Sequence, residues 1–230
     1  MFEWTLEKEL CKLAKFENFH EALQSLDILN SANTDFEIQK DQNWERGGTE
    51  TYLFKFSIKL KDGKESSYLL KACVAYAPNS NLEKILCDWI ARRQLISNHG
   101  IKTPKLFAYG NGVILEEYIP YRLKDILQSS QNPPPKILKE LAFLAGVLSK
   151  LKFDPIDIFS DLRSHGDDVI VIDFGQDLGP SGVMPNLRLE IYKMLLQTLT
   201  DWGVKLEKNS RDELLSVFIS SSVDEIETMN

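Results

Sequence analysis

Apolar residues recur at three- and four-residue intervals through Leu6, Leu10, Leu13, Ala14 and Phe16, and again through Phe19, Leu23 and Leu26. That period predicts one or two amphipathic helices between Trp4 and Leu29, ended by the polar cluster Asn30 to Thr34. The pattern then changes to strands. Asp35 to Lys40 and Thr51 to Leu60 alternate, with the pair Gly47-Gly48 between them, and Lys61-Asp62-Gly63-Lys64 reads as a hairpin turn leading into the apolar run Ser67 to Ala75. Helical spacing returns from Leu82 to Ile96, behind the candidate caps Asn79, Ser80 and Asn81, and Gly100 stops it. Strands at Lys105 to Tyr109 and Val113 to Ile119 flank the turn Gly110-Asn111-Gly112. A short helix, Leu123 to Gln128, precedes a proline run, and a long apolar helix spans about Lys136 to Lys152 before Pro155. A strand pair, Phe159 to Arg163 and Val169 to Phe174, and two helices, about Leu187 to Trp202 and Arg211 to Ser220, complete the order.

A strand-rich first half with one inserted helix, followed by a helical half with one hairpin, predicts an α+β protein of two lobes. The expected divisions are a helical extension at 1–33, a sheet lobe at 34–120, a small helical lobe at 121–220 and a frayed tail at 221–230. The 230 residues are 43% hydrophobic and 27% charged, a globular composition, and no run approaches the ~20 apolar residues of a membrane helix. The opening Met1 to Lys8 carries acids where a signal peptide would be basic and then apolar, so a cytoplasmic location is expected. Cys11, Cys73 and Cys87 form no C-x-x-C pair, and the three histidines are scattered, which argues against a disulfide frame or a zinc cage. A net charge of −7 argues against a nucleic-acid-tracking surface.

Four features carry chemistry. Lys71 lies among apolar neighbours in a strand, where its charge is costly unless paired. Gly47 and Gly48 would let backbone amides close over an anion, and read equally as a β-turn. Glu116-Glu117-Tyr118-Ile119-Pro120 ends a strand, and Asp173-Phe174-Gly175 ends a Val-Ile-Val-Ile strand with a carboxylate. In this order the parts resemble the protein-kinase-like fold, closest in flavour to its compact atypical members: aminoglycoside and choline phosphotransferases, RIO kinases and the small kinase of the KEOPS complex. The likeness covers roughly residues 35 to 203, and its most specific pieces are Asp173-Phe174-Gly175 and the segment Gly100 to Leu127.

The resemblance implies an ATP- and magnesium-dependent phosphotransferase acting on a hydroxyl of a protein or small molecule. Gly47 and Gly48 would cover the nucleotide phosphates, and Lys71 would bind them. Its carboxylate partner would be Glu83 of the following helix, with Asp88 as the alternative, and Glu117 and Tyr118 would form the hinge beside the base. Asp173 would hold magnesium. The hairpin turn is expected between Gly166 and Asp167, which sets Asp173 opposite Ser160 and next to Asp161, making Asp161 the second metal ligand.

The family's H-R-D-x-x-x-x-N or H-G-D-x-x-x-x-N loop is absent. Asp157, four residues before Asp161, is the candidate base and Asp154 its rival; both read equally as turn caps around Pro155. Asp177 is a possible third metal-side acid. Only 55 residues (230 − 175) follow Gly175, and no A-P-E motif is among them, so a minimal phosphotransferase or one completed by a partner protein is expected. The same gaps suit an alternative, a pseudokinase that binds nucleotide with little or no transfer.

Overall fold

The computed structural model describes residues 5–29, 35–40, 45–47, 51–73, 81–130, 133–155, 158–175, 178–180 and 187–223. They form two compact units, residues 1–90 with 104–118 and residues 91–103 with 119–230.

In the first unit the N-terminal periodicity forms two helices, α1 (Leu6–Ala14) and α2 (Phe19–Ser25). Thr5 and Asn18 cap them by accepting backbone N–H groups of the first turn, and Lys15, at φ 61°, ends α1 in the left-handed conformation. Strands β1 (Phe36–Lys40), β2 (Glu45–Gly47), β3 (Thr51–Leu60) and β4 (Glu65–Cys73) follow. Then come helix α3 (Leu82–Asn98) and strands β5 (Leu106–Gly110) and β6 (Val113–Glu117). The sheet runs β1-β3-β4-β6-β5, with β2 pairing the start of β3, and every pairing is antiparallel. Gly63, at φ 86°, closes the β3–β4 hairpin, where a side chain would be strained.

The alternation of β3, β4 and β6 gives the sheet two different faces. Phe54, Phe56, Ile58, Tyr68, Leu70, Val113 and Leu115 join Leu6, Leu10, Leu23 and Leu26 in one buried cluster, so the N-terminal helices cover this face. Lys40 pairs with Glu7, tying the first strand to α1. The other face carries Leu69, Lys71, Ile114 and Glu116.

The second unit contains the rest: β7 (Tyr121–Arg122), α4 (Leu123–Ser129), α5 (Pro135–Lys150), β8 (Phe153–Pro155), β9 (Arg163–His165), β10 (Asp168–Ile170), β11 (Leu178–Pro180), α6 (Leu187–Asp201) and α7 (Lys208–Ser222). Helix α5 is its centre. Pro135 opens it at a position that needs no N–H donor, Ile137, Leu141, Ala142, Leu144, Ala145 and Leu148 are buried, and the helix packs against α6, α7, β8 and β10. Gly146 sits at the α5–α7 contact, where an added Cβ would meet the Phe218 carbonyl oxygen at 2.6 Å. The division between the units falls within α3, between Ile90 and Ala91.

Several elements differ from the expectation. The long helix ends at Lys150, and Pro155 lies in β8, paired with Leu178 of β11. Phe159 lies in a turn rather than a strand; Ile158, Phe159 and Leu162 are buried there, which satisfies the apolar run without a ladder. The last helix reaches Ser222, into the segment expected to fray. Among the described residues no helix is long and apolar enough to cross a membrane.

Candidate functional site

Lys71, in the middle strand of the first unit, stands opposite Leu53 of β3 and Ile114 of β6. Glu116, two residues beyond Ile114, is its diagonal neighbour on the same face. The Lys71 Nζ lies 2.7 Å from the Glu116 Oε1, and the two side chains are only 11% and 1% exposed. The strand lysine therefore does have a carboxylate beside it. That partner is not one of the two helix acids named from the sequence: Glu83 and Asp88 are both exposed on α3. The cause is the register, which fixes an acid of the adjacent strand within reach of the ammonium.

Glu116 is the residue that the sequence reading missed. Its signal was the one that exposed Lys71: a charge inside an apolar strand, Val113-Ile114-Leu115-Glu116, needs a partner of opposite sign.

Next along the chain, Glu117 Oε2 accepts the Lys105 backbone N–H at 3.1 Å, and the Glu117 N–H donates to the Lys105 carbonyl at 2.9 Å. Lys105 in turn pairs with Asp27 at 3.1 Å. The Tyr118 N–H donates to the Ser67 carbonyl at 3.1 Å, and Lys55 Nζ sits 4.5 Å from the Tyr118 ring centroid. Both N–H groups are thus used within the unit and hold the strand end in place. Gly47 pairs with Thr51 through β2, and Gly48 lies outside the described residues.

In the second unit the hairpin pairs Asp168 with His165, Val169 with Ser164 and Ile170 with Arg163, the register expected for a turn between Gly166 and Asp167. The ladder stops there, so Asp173 and Ser160 lie beyond its paired residues. Val171 continues the run by donating its N–H to the Lys102 carbonyl at 3.0 Å.

The Asp173-Phe174-Gly175 turn is held from two sides. Asp173, half-buried, accepts the Gly175 N–H on Oδ1 at 2.9 Å, the bond by which an aspartate stabilises its own turn. Arg92 Nη1 donates to the Phe174 carbonyl at 3.2 Å and to the Gly175 carbonyl at 2.5 Å. Arg93, itself 4% exposed, stacks 5.3 Å from the Phe174 ring centroid. These arginines were unread in the sequence, where two adjacent cations on a helix resemble a solvated face.

Asp161 is exposed in the turn before β9, and Asp154 pairs through its backbone with Gly179 in the β8–β11 ladder. Asp157 and Asp177 lie outside the described residues. Among the described residues no three of His, Cys, Asp and Glu gather closely enough to hold a metal ion. The carboxylate oxygens of Asp161 and Asp173 are of the type a hard cation takes, and Asp173 keeps one oxygen beyond the one that takes the Gly175 N–H.

No protein-family model and no curated protein sequence matches the chain. Among solved structures it is similar to the Rio2 kinase from Chaetomium thermophilum in an ADP/Mg2+-phosphoaspartate complex. The TM-score is 0.50 at 14% identity, over 88% of this chain and 73% of that one. The chain has a protein-kinase-like fold.

Proposed function

We propose that the chain is an ATP- and magnesium-dependent phosphotransferase of the compact atypical kinase kind, acting on a hydroxyl of a protein or small molecule. The observation that carries this reading is the Lys71–Glu116 pair, an ammonium held inside the sheet by a buried carboxylate within a kinase-like fold. Replacing a buried ion pair by apolar residues is often neutral or stabilising, so a pair of this kind is poorly explained by stability alone. Binding the anionic α- and β-phosphates gives it a use. The fold neighbour, an ADP/Mg2+ complex, supports a nucleotide as the ligand class.

In this reading Gly47 and Gly48 approach the phosphates through their backbone, and Glu117 and Tyr118 flank the base. Asp173 and Asp161 hold magnesium, whose charge, when bound, neutralises the phosphate oxygens. Asp157, or Asp154 in its place, orients the acceptor hydroxyl and takes its proton. The acceptor is a small molecule, or a protein that a partner helps to dock.

A second reading, nucleotide binding with little or no transfer, is favoured by one observation: the sequence lacks the histidine and asparagine of the family's H-R-D-x-x-x-x-N loop. Phosphoryl transfer from γ-labelled ATP separates the two. Wild type is expected to turn over, Asp157→Ala to lose at least about a hundredfold, and Asp154→Ala to lose less. Activity untouched by both substitutions removes this catalytic assignment, and nucleotide binding without wild-type turnover selects the second reading.

A further inference from the structure

The scheme above uses Glu116 only as the carboxylate beside Lys71, yet it is more deeply buried than the lysine itself. We propose that Glu116 is the positioning residue for Lys71, fixing the ammonium from within the sheet rather than from a neighbouring helix. This rests on the nucleotide-binding reading, because it specifies how the phosphate-binding charge is held.

Three observations carry it. The first is register: Lys71 pairs with Ile114, so Glu116 is two residues along the partner strand on the same face, and the ladder between β4 and β6 sets the separation. A strand partner held by a run of backbone hydrogen bonds keeps its place, whereas a helix can turn or slide its acid away. The second is burial. At 1% side-chain exposure, the Glu116 carboxylate needs a counter-charge, and the 2.7 Å contact supplies it. The third is the surroundings. Leu69 and Ile114, both buried, are the cross-strand neighbours of Glu116 and Lys71, so the two charges lie in an apolar part of the sheet.

The function of Glu116 is then to keep a buried cation at one point, ready for phosphate oxygens. Neither Glu83 nor Asp88, exposed on α3, is required for this.

The test is a double-mutant cycle on ADP affinity, measured by titration calorimetry at fixed salt, with Lys71→Met and Glu116→Gln singly and together. Glu116→Gln preserves shape and removes charge. It is expected to weaken ADP about tenfold in the Lys71 background and to have no further effect in the Lys71→Met background. Glu116→Asp, one methylene shorter, is expected to recover part of the loss. Thermal melts of each variant identify folded protein; if Glu116→Gln fails to fold, Glu116→Asp carries the cycle alone.

Equal losses in both backgrounds mean that Glu116 acts only on the fold, and overturn the proposal. Tighter ADP binding by Glu116→Gln, the result expected if the carboxylate competes with phosphate, overturns it as well. Wild type that binds no ADP, or Lys71→Met that binds it as wild type does, removes the nucleotide role of Lys71 and the proposal with it. Loss in Lys71→Met without loss in Glu116→Gln leaves the nucleotide reading standing and rejects the positioning role.

Discussion

Truncating one member of a buried ion pair leaves the other charged in a medium that solvates it poorly. Glu116→Ala is therefore expected to cost about 3–5 kcal/mol of unfolding free energy in urea titrations. Lys71→Met with Glu116→Leu, which removes both charges and keeps the volume, should restore most of that stability. The contrast between these variants isolates burial of an unpaired charge from packing.

A second charged group behaves differently because water reaches it. Asp168 lies beside Lys102, at 2.5 Å, and Lys136, at 2.9 Å, and these ammonium groups hold its carboxyl below the usual carboxylate range. Its folded-state pKa is thus lower than its unfolded one. The resulting stability is present above the unfolded value of about 3.9 and is lost as pH falls through the lowered folded value. Asp168→Asn should lower stability at neutral pH by an amount that solvent screening keeps small, and should flatten the acid limb of a stability–pH curve between about pH 5 and 2 by that same amount. An acid limb that is unchanged in Asp168→Asn contradicts the assignment.

Helix α5 packs closely against α7 at Gly146. A Cβ on Gly146 would fall 1.9 Å from the Ser221 Oγ and 2.6 Å from the Phe218 carbonyl oxygen of α7. A hydroxyl can rotate away, but a helix carbonyl cannot. Gly146→Ala should lower stability by about 1–3 kcal/mol in thermal or urea melts, and Ser221→Ala should not rescue it. Nothing in the sequence marked this glycine, since its cost within a helix is visible only when the crossing helix is known.

Other elements were readable to differing depths. The β3–β4 hairpin followed from its alternation and from Gly63, and the hairpin register at Gly166 followed from one turn signal. The strand expected from Phe159 failed because buried anchors in a turn and in a strand produce the same short apolar run. Strands β8 and β11 are three residues each and contain Pro155 and Pro180, residues that argue against a strand when read alone.

For the whole molecule, the order of elements made the kinase-like fold legible without any matching family sequence. Order survives where identity falls to 14%, because it depends on period and turn chemistry rather than on particular residues. The candidate site was legible as far as single residues announce their cost: a lysine in a strand, an aspartate at a strand end. Pairings were less so. Lys71 found Glu116 and the Asp173 turn found Arg92, contacts set by register and by helix placement across 45 and 81 residues of chain (116 − 71 and 173 − 92).

If ATP binds this fold through magnesium held at Asp173, as proposed, the nucleotide should protect the chain against heat only when the metal is present. A ligand that binds the native state raises the melting temperature according to its affinity and concentration. Wild type should be stabilised by ATP in magnesium and not in EDTA, and Asp173→Ala should lose that difference while melting cooperatively. Equal stabilisation of wild type with and without magnesium would rule out the metal site at Asp173.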